Sequence, residues 1–510
     1  MSEVVLPITY AVPERFHVSD SQIRTDRSAK ARRSLALLLT TGAVVALVDG
    51  ITRAPNADWE SMPFQNPLQY VPYKAAFVFA ALLLPLTLHY ARQVGSRMSK
   101  ALLMWFVMCT TAYAKDFAYI HIPGVPLFVT DIVLATLVFF TFLFPRLRIP
   151  LDFWPNRVVW LLLTLGAVEV CRSLISGHQP LMVFRDFAVP LYAVFLLIGL
   201  YVVNDWPSIR RLCKFFIYGA AMSSVTAVGW FAVVPAQRRY IFHAIPHLIA
   251  AVVGLLPWAL STKTSSRITY SVLGLLTAGI VFTNSRTAYV SIALCVVVLF
   301  FTARVADRRI RLSQLTRWLA GVSVLSAALL LVLMVSDNGA KFVKEAGTEL
   351  ISGTLNYQND ANADFRFQAW TEAWNRFYRN PLLGEGFGVP FLFGAEDYDS
   401  RPHNTYLTVL YKMGLLGLFP LLLLLGHFYK HGWRIVRTSS GGQESLLLYC
   451  CMLAFLSMCF SGALNLTLES PFSASVFWLT IGVGYRMMIL LTRRHRQVAY
   501  ETIPEASISV

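Results

Sequence analysis

Charge is scarce in this chain. Only 14% of its 510 residues are Asp, Glu, Lys or Arg, where a soluble domain carries roughly 25%. Hydrophobic residues make up 56%, and the mean hydropathy is +0.55. That combination excludes an ordinary soluble protein and a disordered one. Metal-ligand spacing is missing as well. Cys109, Cys171, Cys213, Cys295, Cys450, Cys451 and Cys459 all fall in apolar runs, and no C-x-x-C occurs; they read as small core residues. No basic run is interleaved with aromatics, so the net charge of +16 does not point to nucleic acid. There is no low-complexity tract and no repeat. No short apolar stretch with a small-residue cleavage site follows the polar N-terminal residues.

What the chain has in quantity is long apolar runs. Each covers about 17–25 residues, the length of a helix that crosses a bilayer core. About fourteen can be placed, at 34–50, 73–91, 101–119, 126–144, 157–174, 183–203, 213–235, 243–260, 268–284, 286–303, 318–336, 404–428, 446–465 and 472–492. The fold class is therefore all-α: a polytopic integral membrane bundle of about 14 transmembrane helices with one long outer loop. Charge tests the orientation. With the N-terminus inside and the spans alternating, roughly two-thirds of the 44 basic residues fall on the inner side, as positive-inside bias requires. Both termini are then inside, and the only long loop, 337–403, is outside.

The basic residues left outside run against that bias, which makes them functional candidates. Arg185 opens one span. Arg238 and Arg239 sit in a very short outer loop. Arg286 lies at the tip of the hairpin Asn284-Ser285-Arg286. His403 ends the long loop at the mouth of the next span. Together these groups describe an electropositive pocket at the outer surface, suited to a pyrophosphate because arginine offers paired donors to phosphate oxygens.

The long loop also carries a motif order. It reads Arg366-Phe-Gln-Ala-Trp370, then Asn380-Pro-Leu-Leu-Gly-Glu-Gly-Phe-Gly388, then Arg401-Pro-His403-Asn404, and nine residues later Gly414-Leu-Leu-Gly417. This order, over about 266–425, resembles the O-antigen ligase and O-antigen polymerase superfamily. The chain then divides into a cytoplasmic tail (1–33), N-terminal transmembrane helices (34–265), the ligase-like region (266–425) with its periplasmic loop 337–403, C-terminal transmembrane helices (426–492) and a second cytoplasmic tail (493–510).

The resemblance implies a glycosyltransferase of the bacterial inner membrane that works at the periplasmic face, with no cofactor and no metal at its site. Its donor is a glycan on undecaprenyl diphosphate, and its acceptor is lipid A–core or another glycan; membrane lipids surround it and nucleic acid has no part. His403 matches the family histidine implicated in transfer, and Asn404 and the two glycines match the rest of that motif. Arg286 matches an arginine thought to hold the donor diphosphate, and Arg185, in F-R-D, resembles the other family arginine. Arg238, Arg239, Arg366 and Asn404 are candidates for further substrate contacts.

Elementary chemistry asks for the same groups. The leaving diphosphate must be stabilised as charge develops on it, which fixed arginines do. The acceptor hydroxyl must lose its proton, which a histidine assists; the same histidine is equally suited to donate a hydrogen bond to the diphosphate. Structural readings stand beside the functional ones. Arg185 next to Asp186 is also a simple ion pair, and Gly414 with Gly417 is also a surface for close helix packing. Glu169 and Lys412 are ionisable groups inside spans, whose partners the sequence does not reveal. His121, His243 and His247 have no ligand spacing.

Three functions compete. The first is a ligase that transfers a completed polysaccharide to a terminal acceptor. The second is a polymerase that joins repeat units. Some polymerases carry R-x10-G in outer loops, and none of Arg185, Arg238, Arg239, Arg286, Arg366 or Arg401 has glycine at the required position, which tilts the reading to a ligase. The third is a flippase or other transporter, which would place its site near the bilayer midplane, in a wet cavity lined by Glu169 and Lys412.

Overall fold

The computed structural model describes residues 20–52, 74–121, 127–143, 153–233, 244–283, 285–307, 310–311, 313–320, 361–391, 401–439 and 442–501. Among these, the regular structure is helical. In chain order the helices are α1 (Asp20–Thr52), α2 (Lys74–Gln93), α3 (Met98–Tyr113), α4 (Lys115–Ala118), α5 (Val129–Leu143), α6 (Trp154–Ile175), α7 (Pro180–Leu191) and α8 (Val194–Val202). They continue with α9 (Trp206–Val233), α10 (Ile245–Leu260), α11 (Arg267–Thr283), α12 (Arg286–Ala306), α13 (Ala361–Arg379), α14 (Thr405–Thr438), α15 (Gln443–Leu464) and α16 (Pro471–Glu501).

Nine helical segments among the described residues are long and apolar enough to cross a membrane, and Val129–Thr141, Ile245–Leu260 and Arg267–Thr283 are shorter apolar helices. The protein is a polytopic helical membrane protein. In a hydrocarbon solvent each backbone N–H and C=O has to be satisfied within its own segment, and the helix does this. Two expected boundaries shift. Helix α1 begins at Asp20 and α16 runs to Glu501, so helix extends into stretches expected as tails. Of the span expected at 318–336, only 318–320 is described; Arg238, Arg239 and His243 lie outside the described residues.

The helices pack as a bundle in which α1 lies on α2 and α9, α3 on α9, α8 on α16, and α10 on α15. Close approach depends on small residues: a Cβ on Gly482 of α16 would stand 2.1 Å from the Leu196 carbonyl of α8, so the two backbones touch there. Apolar side chains that remain exposed form stripes, as with Val290, Leu294, Val297 and Phe301 on α12; these faces meet lipid.

Contacts between loops sort into two ends. At one end, Lys100 reaches Asp205 and donates to Asn204 (2.7 Å) and Ser208 (2.8 Å). There too Arg210 pairs with Glu444 at 2.6 Å, and Ser261 bridges to Ile310. These are the segments expected inside. The opposite end gathers the turns after α3, α6 and α15 with the α13 segment, and that end holds the candidate site.

Candidate functional site

The site is built around a carboxylate. Asp186, on the second turn of α7, is 1% exposed. Its Oδ1 accepts from Arg401 at 2.9 Å and its Oδ2 accepts from the backbone N–H of Gly388 at 2.9 Å. Lys412 of α14 donates to the same Oδ2. Arg185 Nε stands 4.0 Å from Oδ1. The expected pairing of Arg185 with Asp186 is thus the outer edge of a larger cluster, whose close partners are Arg401 and Lys412. Three cations face one buried anion, at the end expected outside. Tyr119, on the turn before α5, is within the electrostatic reach of Arg401 and Arg185.

The second element is a break in α14. Gly414 has φ 60° and ψ −161°, inside an otherwise helical run. The break releases the carbonyls of Tyr411 and Lys412 and the N–H groups of Leu415 and Leu416. The segment 381–386 takes up all four. Glu385 N donates to Tyr411 O (2.8 Å) and Gly386 N to Lys412 O (3.1 Å), while Leu415 N donates to Pro381 O (2.9 Å) and Leu416 N to Leu382 O (3.2 Å). Irregular backbone at membrane depth is tolerated only when buried and satisfied in this way. The Gly414–Gly417 pair is therefore not a helix-packing surface, as the i, i+3 spacing suggests. Gly414 supplies the break, and Gly417 leaves room for Met413, whose Cβ would lie 2.4 Å from a Cβ there.

The other side of the same segment docks on α6 and α7. Arg172 Nη2 donates to Gly384 O (3.1 Å), Phe387 N donates to Ser173 Oγ (2.9 Å), and His178 Nδ1 lies 2.9 Å from Phe387 O. Glu169 pairs with Arg172 at 2.7 Å. Gly384, Gly386 and Gly388 all have positive φ, a conformation that side chains oppose. Both ionisable groups that the sequence left unpartnered, Glu169 and Lys412, are buried here in this clamp.

The clamp presents His403. Helix α13 lies on α14 through Ala369, Ala373 and Phe377, packed with Leu410 and Tyr411. Trp370 Nε1 donates to the Pro402 carbonyl at 2.8 Å. Asn404 caps α14: its Oδ1 accepts from Tyr406 N and Leu407 N, both at 3.1 Å, satisfying two of the orphan donors of the first turn. Between these two fixed points His403 has φ 49°, a left-handed conformation costly for a non-glycine residue. Its ring meets Phe365 edge-on, 6.2 Å between centroids. Burial, with the Arg366 guanidinium close by, pushes the imidazole pKa down to about 4, so at pH 7 it is neutral, with one nitrogen donating and one accepting.

Arg185, Arg366, His403 and Asn404 thus come together in one assembly with Asp186, Arg401 and Lys412. Arg286 is the first residue of α12, half-buried behind Ser285. It lies at the end of α12 away from the Ser261–Ile310 bridge, the end expected outside. Asn284 is outside the described residues, as are 337–360 and 392–400 of the long loop. The sequence reading missed the hub role of Asp186 and the part played by Arg172. It also missed Glu469, a buried carboxylate between α15 and α16 that accepts from Thr405 Oγ1 at 2.7 Å. A signal for the first existed: an aspartate and a lysine within separate spans require each other.

The site thus joins a plugged helix break, the Asp186 charge cluster and one strained histidine. Residues 271–422 match the O-antigen ligase family model, the part of the chain that carries the break in α14, the 381–386 segment and His403. That family implies glycosyltransferase-type activity on a lipid-linked glycan and an acceptor. No curated protein matches the chain.

Proposed function

We propose that this protein is an O-antigen-ligase-type glycosyltransferase, moving a glycan from undecaprenyl diphosphate to a hydroxyl of lipid A–core or another terminal acceptor at the periplasmic face of the inner membrane. The observation that carries the reading is His403: neutral at pH 7 and strained, it is presented beside Arg366 by the two motifs of the long loop. In the reaction the acceptor oxygen bonds to the anomeric carbon of the donor sugar, the bond from that carbon to the diphosphate oxygen breaks, and the acceptor proton leaves to His403. A pKa of about 4 makes His403 a weak base, suited to take the proton late, as the new bond forms. Arg185 and Arg286, with Arg238 and Arg239, are assigned to the diphosphate charge, and Arg366 to the approaching substrate. Asn404 acts by holding the helix end that fixes His403.

A transporter reading asks Glu169 and Lys412 to line a wet path, whereas both are buried and paired in the clamp. The test is to supply purified protein with an undecaprenyl-diphosphate glycan and lipid A–core and to identify the products by gel and mass spectrometry. Glycan on lipid A–core is the expected result; a ladder still attached to undecaprenyl diphosphate would make the enzyme a polymerase. His403→Ala is expected to remain folded in the membrane and yield no product, and normal product from it would remove the catalytic assignment.

A further inference from the structure

Helix α13 packs one apolar face on the described residues of α14, and a second apolar face is exposed. The Ala369, Ala373 and Phe377 face lies against Leu407, Leu410, Tyr411 and Leu418, all of them inside the candidate span Thr405–Thr438. The helix therefore runs beside the outer end of that span and not above it. Its second face is an aromatic stripe at i, i+7 and i+11: Phe367, Trp374 and Tyr378, respectively 54%, 43% and 64% exposed. The stripe ends in Leu382 and Leu383, 61% and 41% exposed. Gln368 and Asn375, on the polar side, are exposed as well. Such exposure of large apolar groups marks an interaction surface.

We propose that α13 is an interfacial helix that lays this stripe into the outer leaflet, so that the lipid bilayer holds down the loop carrying His403. The occupant follows from continuity. Leu416 N donates to Leu382 O at 3.2 Å, which sets the Leu382–Leu383 tip against Leu415, Leu416 and Phe419. Those three are exposed apolar residues of a membrane-spanning helix; the stripe prolongs a lipid-facing surface that the fold already requires. Aromatic side chains prefer the depth where a bilayer meets water, and an amphipathic helix of this kind sinks its apolar face roughly 5–10 Å into that boundary. A glycan platform would use the same rings, but it has no use for two exposed leucines. The proposal rests on the fold alone and stands whichever reaction the protein performs.

Cysteine substitutions test it. Tyr378→Cys and Leu382→Cys on the stripe, and Gln368→Cys and Asn375→Cys on the polar side, are made in a Cys171→Ser background, because Cys171 is exposed. Each is labelled with bimane and the full chain is placed in nanodiscs with or without brominated phosphatidylcholine. All four positions are exposed, so the substitutions leave packing intact. Loss of most emission at Tyr378 and Leu382, with little change at Gln368 and Asn375, is expected. Equal quenching on both faces would overturn the proposal. So would a stripe untouched by brominated lipid, including one shielded instead by added soluble oligosaccharide.

Discussion

His403 shows how little room a single residue has here. A left-handed, non-glycine backbone costs on the order of 1–3 kcal/mol and persists only where its surroundings over-determine it. Trp370 holding the Pro402 carbonyl and Asn404 capping α14 are those surroundings. The chemistry of the ring is set in the same way, because burial and Arg366 both disfavour its charged form. The sign follows directly. A histidine with its pKa held down to about 4 stays neutral as pH falls through 6, so transfer is expected to hold its rate down to about pH 5 and to fail towards pH 4. Arg366→Gln removes a cation that opposes protonation, so the acid limb of the pH–rate profile moves up, towards the ordinary histidine value. An unmoved limb in that variant would detach Arg366 from His403. The motif H-N was legible in the sequence as a site. The cap, the strain and the lowered pKa were not, because each depends on what folds back against those two residues.

At the scale of elements, the broken α14 and the segment 381–386 are two halves of one object. Sequence reading finds both, as H-N-x9-G-x-x-G and as NPLLGEGFG, and treats them as separate motifs. The structure shows that each satisfies the other's backbone. Gly414→Ala tests this. Its Cβ would fall 2.2 Å from the Leu382 carbonyl oxygen at a φ of 60°, so a loss of more than about 1–3 kcal/mol is expected from strain and collision. It should appear as a lowered unfolding midpoint in nanodiscs and as new protease cleavage within 380–391. Gly426→Ala, on the same helix with open space around the site, serves as control and should be neutral or stabilising by about 0.5–1 kcal/mol. Helix α13 spans Ala361–Arg379, and its aromatic and alanine spacing is a local signal that needs no partner to be read.

For the whole molecule, alternating spans and the distribution of basic residues imply two chemically distinct ends, and the loop contacts fall into two matching groups. Gln179, in the turn before α7, and Lys263, in the turn after α10, are exposed at opposite ends. In a Cys171→Ser background, a membrane-impermeant maleimide added to spheroplasts is expected to label Gln179→Cys directly and Lys263→Cys only after permeabilisation. Labelling of both from one side would break the topology, and with it the outward-facing site. The ion pairs follow the same division. Arg210 with Glu444 and Lys100 with Asp205 knit the inner turns, while Asp186 with Arg401 and Lys412 knits the outer ones.

The sequence by itself determined the solvent of this protein and its helical class, and it supplies the expected orientation that the labelling experiment tests. These follow from composition, run length and loop charge, which are sums along the chain. It also marked His403 and the outer arginines, because charge in the wrong place is visible without a fold. Only the tertiary structure decided that Asp186, from one span, holds together Arg401 and Lys412 from a loop and another span. Only the structure decided, too, that a glycine inside a helix is a break filled by a segment some thirty residues earlier. The reason is physical: a buried charge or an unpaired backbone group must be satisfied, but the chain does not say by which of its distant residues.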